Sequence, residues 1–195
     1  MIELVFATNN KNKLREAEAI LPSSILLLNL DDAGIDEDIP ETENTFSGNA
    51  LLKARHVKNQ SEFNCFADDS GLEVMALNGA PGVFSARYAG DDGNSQNNIQ
   101  KLLEEMKGKT DRTARFVTVI ALILDQEEFL FEGSIEGEIT QEPKGSSGFG
   151  YDPVFVPQGH QQTFAEMSPS EKNRISHRAI ALEKMSNFLK ERFQS

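Results

Sequence analysis

Near the middle of the chain, Phe66-Ala67-Asp68-Asp69-Ser70-Gly71-Leu72-Glu73-Val74 sets two adjacent carboxylates, a hydroxyl and a glycine between apolar flanks. Neighbouring carboxylates at a strand end repel each other and lose hydration, and a divalent cation relieves both penalties. Hard cations such as Mg²⁺ take carboxylate oxygens and acidify bound water, so an aspartate here can serve as general base toward phosphorus. A solvated Asp turn is the alternative, and the apolar flanks argue against full solvation. Glu41, beside Pro40 in an acidic stretch, is placed to complete a metal site, although by itself it reads as a surface charge.

Three further polar clusters accompany the pair. In Thr8-Asn9-Asn10-Lys11-Asn12-Lys13 a buried strand runs through a polar loop into a helix, whose free N–H groups and positive potential suit phosphate. Lys11 and Lys13 add charge; Thr8, Asn9 and Asn10 add hydrogen-bonding groups. The Walker glycines are missing, and a plain capped turn accounts for the same residues. Residues 145–152 are rich in glycine, which lets backbone approach a ligand closely. There Phe149 or Tyr151 can stack on a base and Asp152 can accept hydrogen bonds from its edge, unless the segment is only a surface loop. Lys172 and Ser176-His177-Arg178 open the last helix: the two cations suit phosphate or a base carbonyl, and His177 can hydrogen-bond a ring. The wet face of a helix is the bland account of these groups. Taken together, the clusters point to a Mg²⁺-dependent enzyme acting on a nucleotide. Cys65 reads as a small core residue, His56 and His160 as surface residues.

The elements that must carry these groups follow from hydrophobic spacing. Residues 2–8 and 24–30 read as buried strands, 13–21 as a helix stopped by Pro22, and 31–43 as an acidic loop. Phe46, Ala50, Leu51, Ala54 and Val57 recur at helical spacing as far as about residue 59. Residues 64–67 form a strand ending at the carboxylate pair, and 72–76 continue extended. Residues 78–93 are loop with short helical turns. Ile99, Leu102, Leu103 and Met106 mark a helix, and 114–124 with 128–140 a hairpin. Ser168-Pro169-Ser170-Glu171 is a capping-box signal opening one C-terminal helix. Helices and strands alternate without a linker, which predicts a mixed α/β fold with two lobes around a central cleft, in a single domain over residues 1–195.

The chain of 195 residues carries a net charge of −12, and residues 1–43 alone hold ten acidic and three basic side chains. That balance argues against non-specific nucleic-acid binding, which needs a basic surface. A few lysines and a metal can still make one cleft positive. A single cysteine excludes an internal disulfide framework, no apolar run approaches the roughly 18–20 residues of a membrane span, and the first residues read as a strand rather than a signal peptide. Cytoplasmic location is the expectation, with neither membrane nor nucleic acid as partner.

These segments, in this order, resemble the inosine/xanthosine triphosphate pyrophosphatase family. The resemblance runs through the Thr8–Lys13 cluster, Glu41-Thr42, Asn49-Ala50-Leu51-Leu52-Lys53-Ala54, the Asp68-Asp69 motif, Asn78-Gly79-Ala80-Pro81-Gly82-Val83 and Ser85-Ala86-Arg87-Tyr88. It continues in Gly148-Phe149-Gly150-Tyr151-Asp152-Pro153-Val154-Phe155, Thr163-Phe164-Ala165-Glu166-Met167, Glu171-Lys172-Asn173 and Ser176-His177-Arg178. It implies a two-lobed α/β fold on a long curved mixed sheet, a homodimer, and Mg²⁺-dependent hydrolysis of non-standard purine nucleoside triphosphates (ITP, dITP, XTP) to monophosphate and pyrophosphate. By position it implies Asp69 as proton acceptor and metal ligand, with Glu41 and Asp68 as further metal-site carboxylates. Thr8, Asn9, Asn10, Lys13, Lys53 and Ser70, in the same cluster as Lys11 and Asn12, would face phosphates and sugar. Phe149 would stack on the purine in a loop continued by Gly150 and Tyr151, and Asp152, Lys172, His177 and Arg178 would bind the base or hold its pocket. Glu43 and Gly48 depart from the pattern, which has a glycine and a glutamate there; Met75 and His160 depart where an acidic or polar residue and a tyrosine are usual. A septum-inhibitor-type nucleotide pyrophosphatase and a non-catalytic nucleotide sensor are the alternatives.

Overall fold

A computed structural model of the chain describes residues 2–36, 39–90 and 93–193. Glu37 and Asp38 of the expected acidic loop, and Asp91 and Asp92 of the expected 78–93 loop, lie outside the described residues.

Strand β1 (Ile2–Phe6) leads into helix α1 (Lys11–Ile20), which starts where the Asn10 side chain caps the N–H groups of Asn12 and Lys13 and stops before Pro22. Strand β2 (Ile25–Leu28) follows, then α2 (Phe46–Gln60), capped by Thr45 on the Gly48 N–H. Strand β3 (Cys65–Val74) comes next, then α3 (Ser95–Glu105), capped by Asn94. The long strands β4 (Thr113–Leu124) and β5 (Glu127–Ile139) are joined by Asp125 and Gln126, a connection so short that only antiparallel strands can use it. After β6 (Phe155–Pro157), α4 (Pro169–Ile175) opens with the expected capping box between Ser168 and Glu171. The last helix is α5 (His177–Phe193).

The strands form one six-stranded sheet in the order β2-β1-β3-β4-β5-β6. β1 runs parallel to β2, with Ile2 opposite Ile25, and parallel to β3, with Val5 opposite Cys65; β5 and β6 are antiparallel. The sheet is therefore mixed and the fold α/β, as expected. Gly137 lets β6 approach β5 closely, since a Cβ there would stand 2.3 Å from the Val156 carbonyl oxygen.

Two compact units divide the chain. The first comprises Met1–Asp69, Thr118–Gly133 and Arg178–Ser195; the second comprises Ser70–Val117 and Ser134–His177. In the first, strand residues alternate between two buried faces. Leu4, Phe6, Phe66, Ile120, Leu122 and Leu124 pack with Ala17 of α1 and Ala181, Leu182, Met185 and Leu189 of α5. Val5, Ala7, Cys65, Ala67, Ala121 and Ile123 pack with Ala50, Ala54 and Val57 of α2. In the second unit the sheet has one apolar face: Leu72, Val74, Ala114, Phe116, Ile139 and Phe155 pack with Ile99 and Leu102 of α3 and with Phe164. The intervening Glu73 and Arg115 form a half-exposed ion pair on the other side.

Two expectations change. β3 does not end at the carboxylate pair but runs through Asp68, Asp69 and Ser70 to Val74, because apolar residues on both sides keep the segment in the sheet core. The single C-terminal helix is two helices, since Ser176 adopts extended backbone (φ −67°, ψ 154°) between α4 and α5. No helix among the described residues is long and apolar enough to cross a membrane.

Candidate active site

The pleat of β3 decides what its carboxylates meet. Successive side chains leave a strand on opposite faces, so Asp68 shares the face of Phe66, toward α1 and α5, whereas Asp69 shares that of Cys65 and Ala67, toward α2. The partners agree. Asp68 Oδ1 accepts a hydrogen bond from Lys13 Nζ of α1 at 2.9 Å, and Oδ2 accepts from Arg178 Nε of α5 at 3.1 Å. Asp69 Oδ2 accepts from Asn49 Nδ2 of α2 at 2.9 Å. The premise that the two aspartates are a repelling pair at a strand end is therefore corrected.

Their electrostatics diverge accordingly. Burial by itself would raise the Asp68 carboxyl, but Lys13, Arg178 and Lys53 outweigh it and hold the group well below the usual carboxylate range. Asp68 is thus a firmly ionised anchor for two cations. Burial raises Asp69, and the nearby Glu41 carboxylate raises it further, against Lys53, Lys13 and the Asn49 hydrogen bond. A carboxylate destabilised as an anion is the better proton acceptor. Glu41 in turn accepts from Lys53 Nζ of α2 at 2.5 Å. Burial lowers the Lys13 ammonium, and the neighbouring Lys53 and Arg178 charges act in the same direction, against Asp68.

The remaining members of the first cluster do different work. Thr8 Oγ1 accepts from the Asn10 N–H at 3.2 Å, and Asn10 caps α1, so both shape the turn. Asn12 Oδ1 accepts from Arg15 on the helix surface, and Asn9 and Lys11 are exposed. Ser70 follows Asp69 on the strand and is half-buried. Lys13 of this segment reaches Asp68.

In the second unit, Lys172 Nζ donates to Asp152 Oδ2 at 2.6 Å, both side chains buried, and lies 4.7 Å from the centroid of the Phe149 ring. The Phe149 N–H donates to the same Asp152 oxygen at 2.8 Å. Gly148 permits that close turn, for its φ is +73° and a Cβ would stand 2.1 Å from Asp152 Oδ2. Gly150 turns the chain with φ +58°. Tyr151 points into the core, where its hydroxyl donates to the Ser85 carbonyl at 2.8 Å, which excludes it as a stacking platform and leaves Phe149. The Ser85 carbonyl also accepts from the buried Asn98, which bonds Ala86 O and the Ala89 N–H as well. His177 stacks on Phe116, rings 4.6 Å apart and 8° from parallel.

Sequence reasoning grouped Arg178 with His177; the structure places it with Asp68 and Glu16 instead. It overlooked Asn49, whose Oδ1 accepts from the Glu43 N–H while its Nδ2 holds Asp69. The available signal was a polar residue on the apolar stripe of α2. Glu16, Ser85 and Asn98 carried no such signal. Cys65 is a core thiol that burial pushes up to about 12, which removes it as a nucleophile.

The departures at Glu43 and Gly48 have a structural account. Gly48 is the third residue of α2, where a glutamate would complete a capping box with Thr45. Here a Cβ on Gly48 would stand 2.8 Å from the Cβ of Glu43 and 2.9 Å from Thr45 Oγ1. Glu43 thus fills the space that Gly48 leaves.

Buried carboxylates with lysines and an arginine in one unit, and an aromatic ring with a carboxylate and a lysine in the other, are groups whose chemistry suits phosphate and a base respectively. Residues 4–188 match the Ham1 family, and the chain belongs to it. A dITP/XTP pyrophosphatase of Christiangramia forsetii is 54% identical over 188 residues, covering 96% of this chain and 99% of that protein. One of Porphyromonas gingivalis is 54% identical over 190 residues, covering 97% and 98%. Among solved structures, a HAM1 protein from Coxiella burnetii superposes with a TM-score of 0.90 at 46% identity, over 98% of this chain and all of that one. The Staphylococcus aureus Ham1 protein superposes with a TM-score of 0.89 at 40% identity, over 97% and 99%.

Proposed function

We propose that this chain hydrolyses non-standard purine nucleoside triphosphates, dITP, ITP and XTP, to the monophosphate and pyrophosphate. The observation that carries the reading is Asp69, a buried carboxylate raised above its ordinary range, held by Asn49 beside cations suited to phosphate. Water attacks the α-phosphorus and its proton passes to Asp69. The new P–O bond forms as the α–β bridging bond breaks, and the electron pair leaves with pyrophosphate. Lys13 and Lys53 neutralise phosphate oxygens, and the second unit's Phe149, Asp152 and Lys172 read the base. Phosphoryl transfer of this kind rests on positioning and charge stabilisation, which these residues supply without a covalent nucleophile.

Asp69 and Glu41 would hold Mg²⁺. The donor set fits: both are hard oxygen donors, and the Glu41 carboxylate lies near enough to raise the Asp69 carboxyl, a penalty that a cation would relieve. Mg²⁺ is commonly held by one or two carboxylates together with substrate phosphates and water. When bound it supplies charge neutralisation and a more acidic water. Asp68, with each oxygen bonded to a cation, is assigned to those cations rather than to the metal.

Base choice follows from unsatisfied groups. A pocket built to donate to a purine 6-oxygen meets a 6-amino group in ATP, and its buried donors lose their partner, a mismatch worth up to roughly 10⁴–10⁵ in discrimination. The same reading carries a single catalytic domain over residues 1–195, a homodimer in the cytoplasm and a small-molecule substrate. Pyrophosphate release from ITP, XTP, dITP, GTP, ATP and dTTP with Mg²⁺ tests it. Fast release from ITP and XTP with little from ATP is the expected result. A preference for pyrimidine nucleotides, or binding without release, would overturn it.

A further inference from the structure

Asn49 is fully buried, and both ends of its amide are engaged: Nδ2 donates to Asp69 Oδ2 and Oδ1 accepts from the Glu43 N–H, each at 2.9 Å. The direction of these bonds is fixed. A backbone N–H can only donate, so it takes the oxygen end of the amide and turns the NH₂ end toward Asp69. Glu43 lies two residues from Glu41. One side chain of α2 therefore ties the loop that carries Glu41 to the strand that carries Asp69.

Two features suit this tie to a pair of metal-holding carboxylates. The amide is neutral, so it orients Asp69 without cancelling its charge. Asp68 shows the contrast, with Lys13 at one oxygen and Arg178 at the other. A cation in place of Asn49 would compete with a divalent ion for the same carboxylate, whereas one amide bond occupies one of about four lone-pair positions. The tie is also independent of Lys53. Lys53 Nζ bonds Glu41 Oε1, and the same ammonium is assigned to substrate phosphate. When Lys53 turns to phosphate that contact is lost, but the bond from the Glu43 N–H to Asn49 is to the backbone and holds the loop in place.

We propose that Asn49 is a positioning residue for the carboxylate pair: it holds Asp69 and the Glu41 loop at one separation, with no charge of its own, so that both carboxylates serve one divalent cation. The proposal rests on the pyrophosphatase reading and its Mg²⁺ pair. Groups that orient metal ligands in this way affect metal affinity nearly as much as the ligands do.

The test is Mn²⁺ titration of the nucleotide-free protein, with free Mn²⁺ read by electron paramagnetic resonance; Mn²⁺ suits the same oxygen ligands as Mg²⁺. The parent, Asp69→Asn, Asn49→Leu and Asn49→Ser are compared, each checked for native near-UV circular dichroism. Binding absent from Asp69→Asn belongs to the carboxylate pair. Leucine keeps the branched outline of Asn49 without either bond, and serine is too short to make both. Each is expected to weaken the Asp69-dependent binding by about 10–100-fold, and to raise the Mg²⁺ needed for half-maximal ITP hydrolysis in the same direction. A role confined to folding would instead lower the thermal midpoint of the metal-free protein and leave the Mn²⁺ affinity of the folded variants unchanged. Folded variants with Mn²⁺ affinity within about threefold of the parent would overturn the proposal, as would a parent without Asp69-dependent Mn²⁺ binding. If Asn49→Leu does not fold, Asn49→Ser is read alone by the same threshold, and failure of both to fold overturns the proposal. A parent that releases no pyrophosphate overturns the pyrophosphatase reading, whereas an active parent whose Mn²⁺ affinity is indifferent to Asn49 removes only the inference.

Discussion

Asp69 is held in a state that serves chemistry at the expense of stability. Burial raises its carboxyl, with Glu41 adding to the effect. An acid whose pKa is raised by folding contributes stability below its unfolded pKa, near 3.8, and loses that contribution as pH rises through the folded value. In metal-free buffer at neutral pH the anion is therefore a destabilising group. Asp69→Asn keeps the shape and leaves an amide oxygen to accept from Asn49. We expect this variant to lose turnover by at least about 10²–10⁴-fold, the usual contribution of a general base. Its thermal midpoint at pH 7 should be no lower than the parent's, with any advantage vanishing as pH falls toward 4. Retained turnover would remove Asp69 as proton acceptor; a large loss of stability would remove the electrostatic account of its pKa.

Among the elements, β3 and α2 show how backbone geometry sorts side chains. Adjacent aspartates meet different helices because a strand alternates, and Asn49 and Lys53, four residues apart on α2, share the face that meets Asp69 and Glu41. The start of α2 carries the Glu43–Gly48 exchange. An alanine normally stabilises a helix by about 1 kcal/mol over glycine, but at position 48 its Cβ would overlap Glu43. Gly48→Ala is thus expected to destabilise by about 1–3 kcal/mol, as overpacking does. Glu43→Gly should relieve part of this in the double variant. Denaturant midpoints around the cycle read the coupling, expected at about 0.5–3 kcal/mol; strict additivity would show that Glu43 does not fill that space. The break at Ser176 is the other deciding element, because it assigns Lys172 and His177 to one unit and Arg178 to the other.

For the whole molecule, the division of labour predicts how variants sort. Lys53→Met, in the first unit, should lower kcat/KM for every nucleotide and leave the ITP-to-ATP ratio within about threefold, because it removes phosphate stabilisation common to all. Lys172→Met, in the second, should collapse that ratio by at least about tenfold, because a lost polar contact to the base is worth about 1–3 kcal/mol. The reverse pattern would place base recognition elsewhere. An acidic chain of net charge −12 remains compatible with an anionic substrate because Lys13, Lys53 and Arg178 are concentrated at one carboxylate cluster.

Much of this was legible before any coordinates. Hydrophobic spacing located most of the helices and strands, the Ser168–Glu171 pair marked a helix start by local hydrogen bonding, and the ordered motifs identified the family. Those signals are local, set by period, propensity and capping within a few residues. Which charges pair was not legible. Arg178 reaches Asp68 across 110 positions and Glu16 across 162, and Tyr151 turns to Ser85 across 66. The two aspartates part company only because β3 continues through them. Pairings over such separations depend on how helices pack on the sheet, so the tertiary structure decided that Asp68 anchors cations, that Asp69 is left to take a proton, and that Glu16 belongs with them.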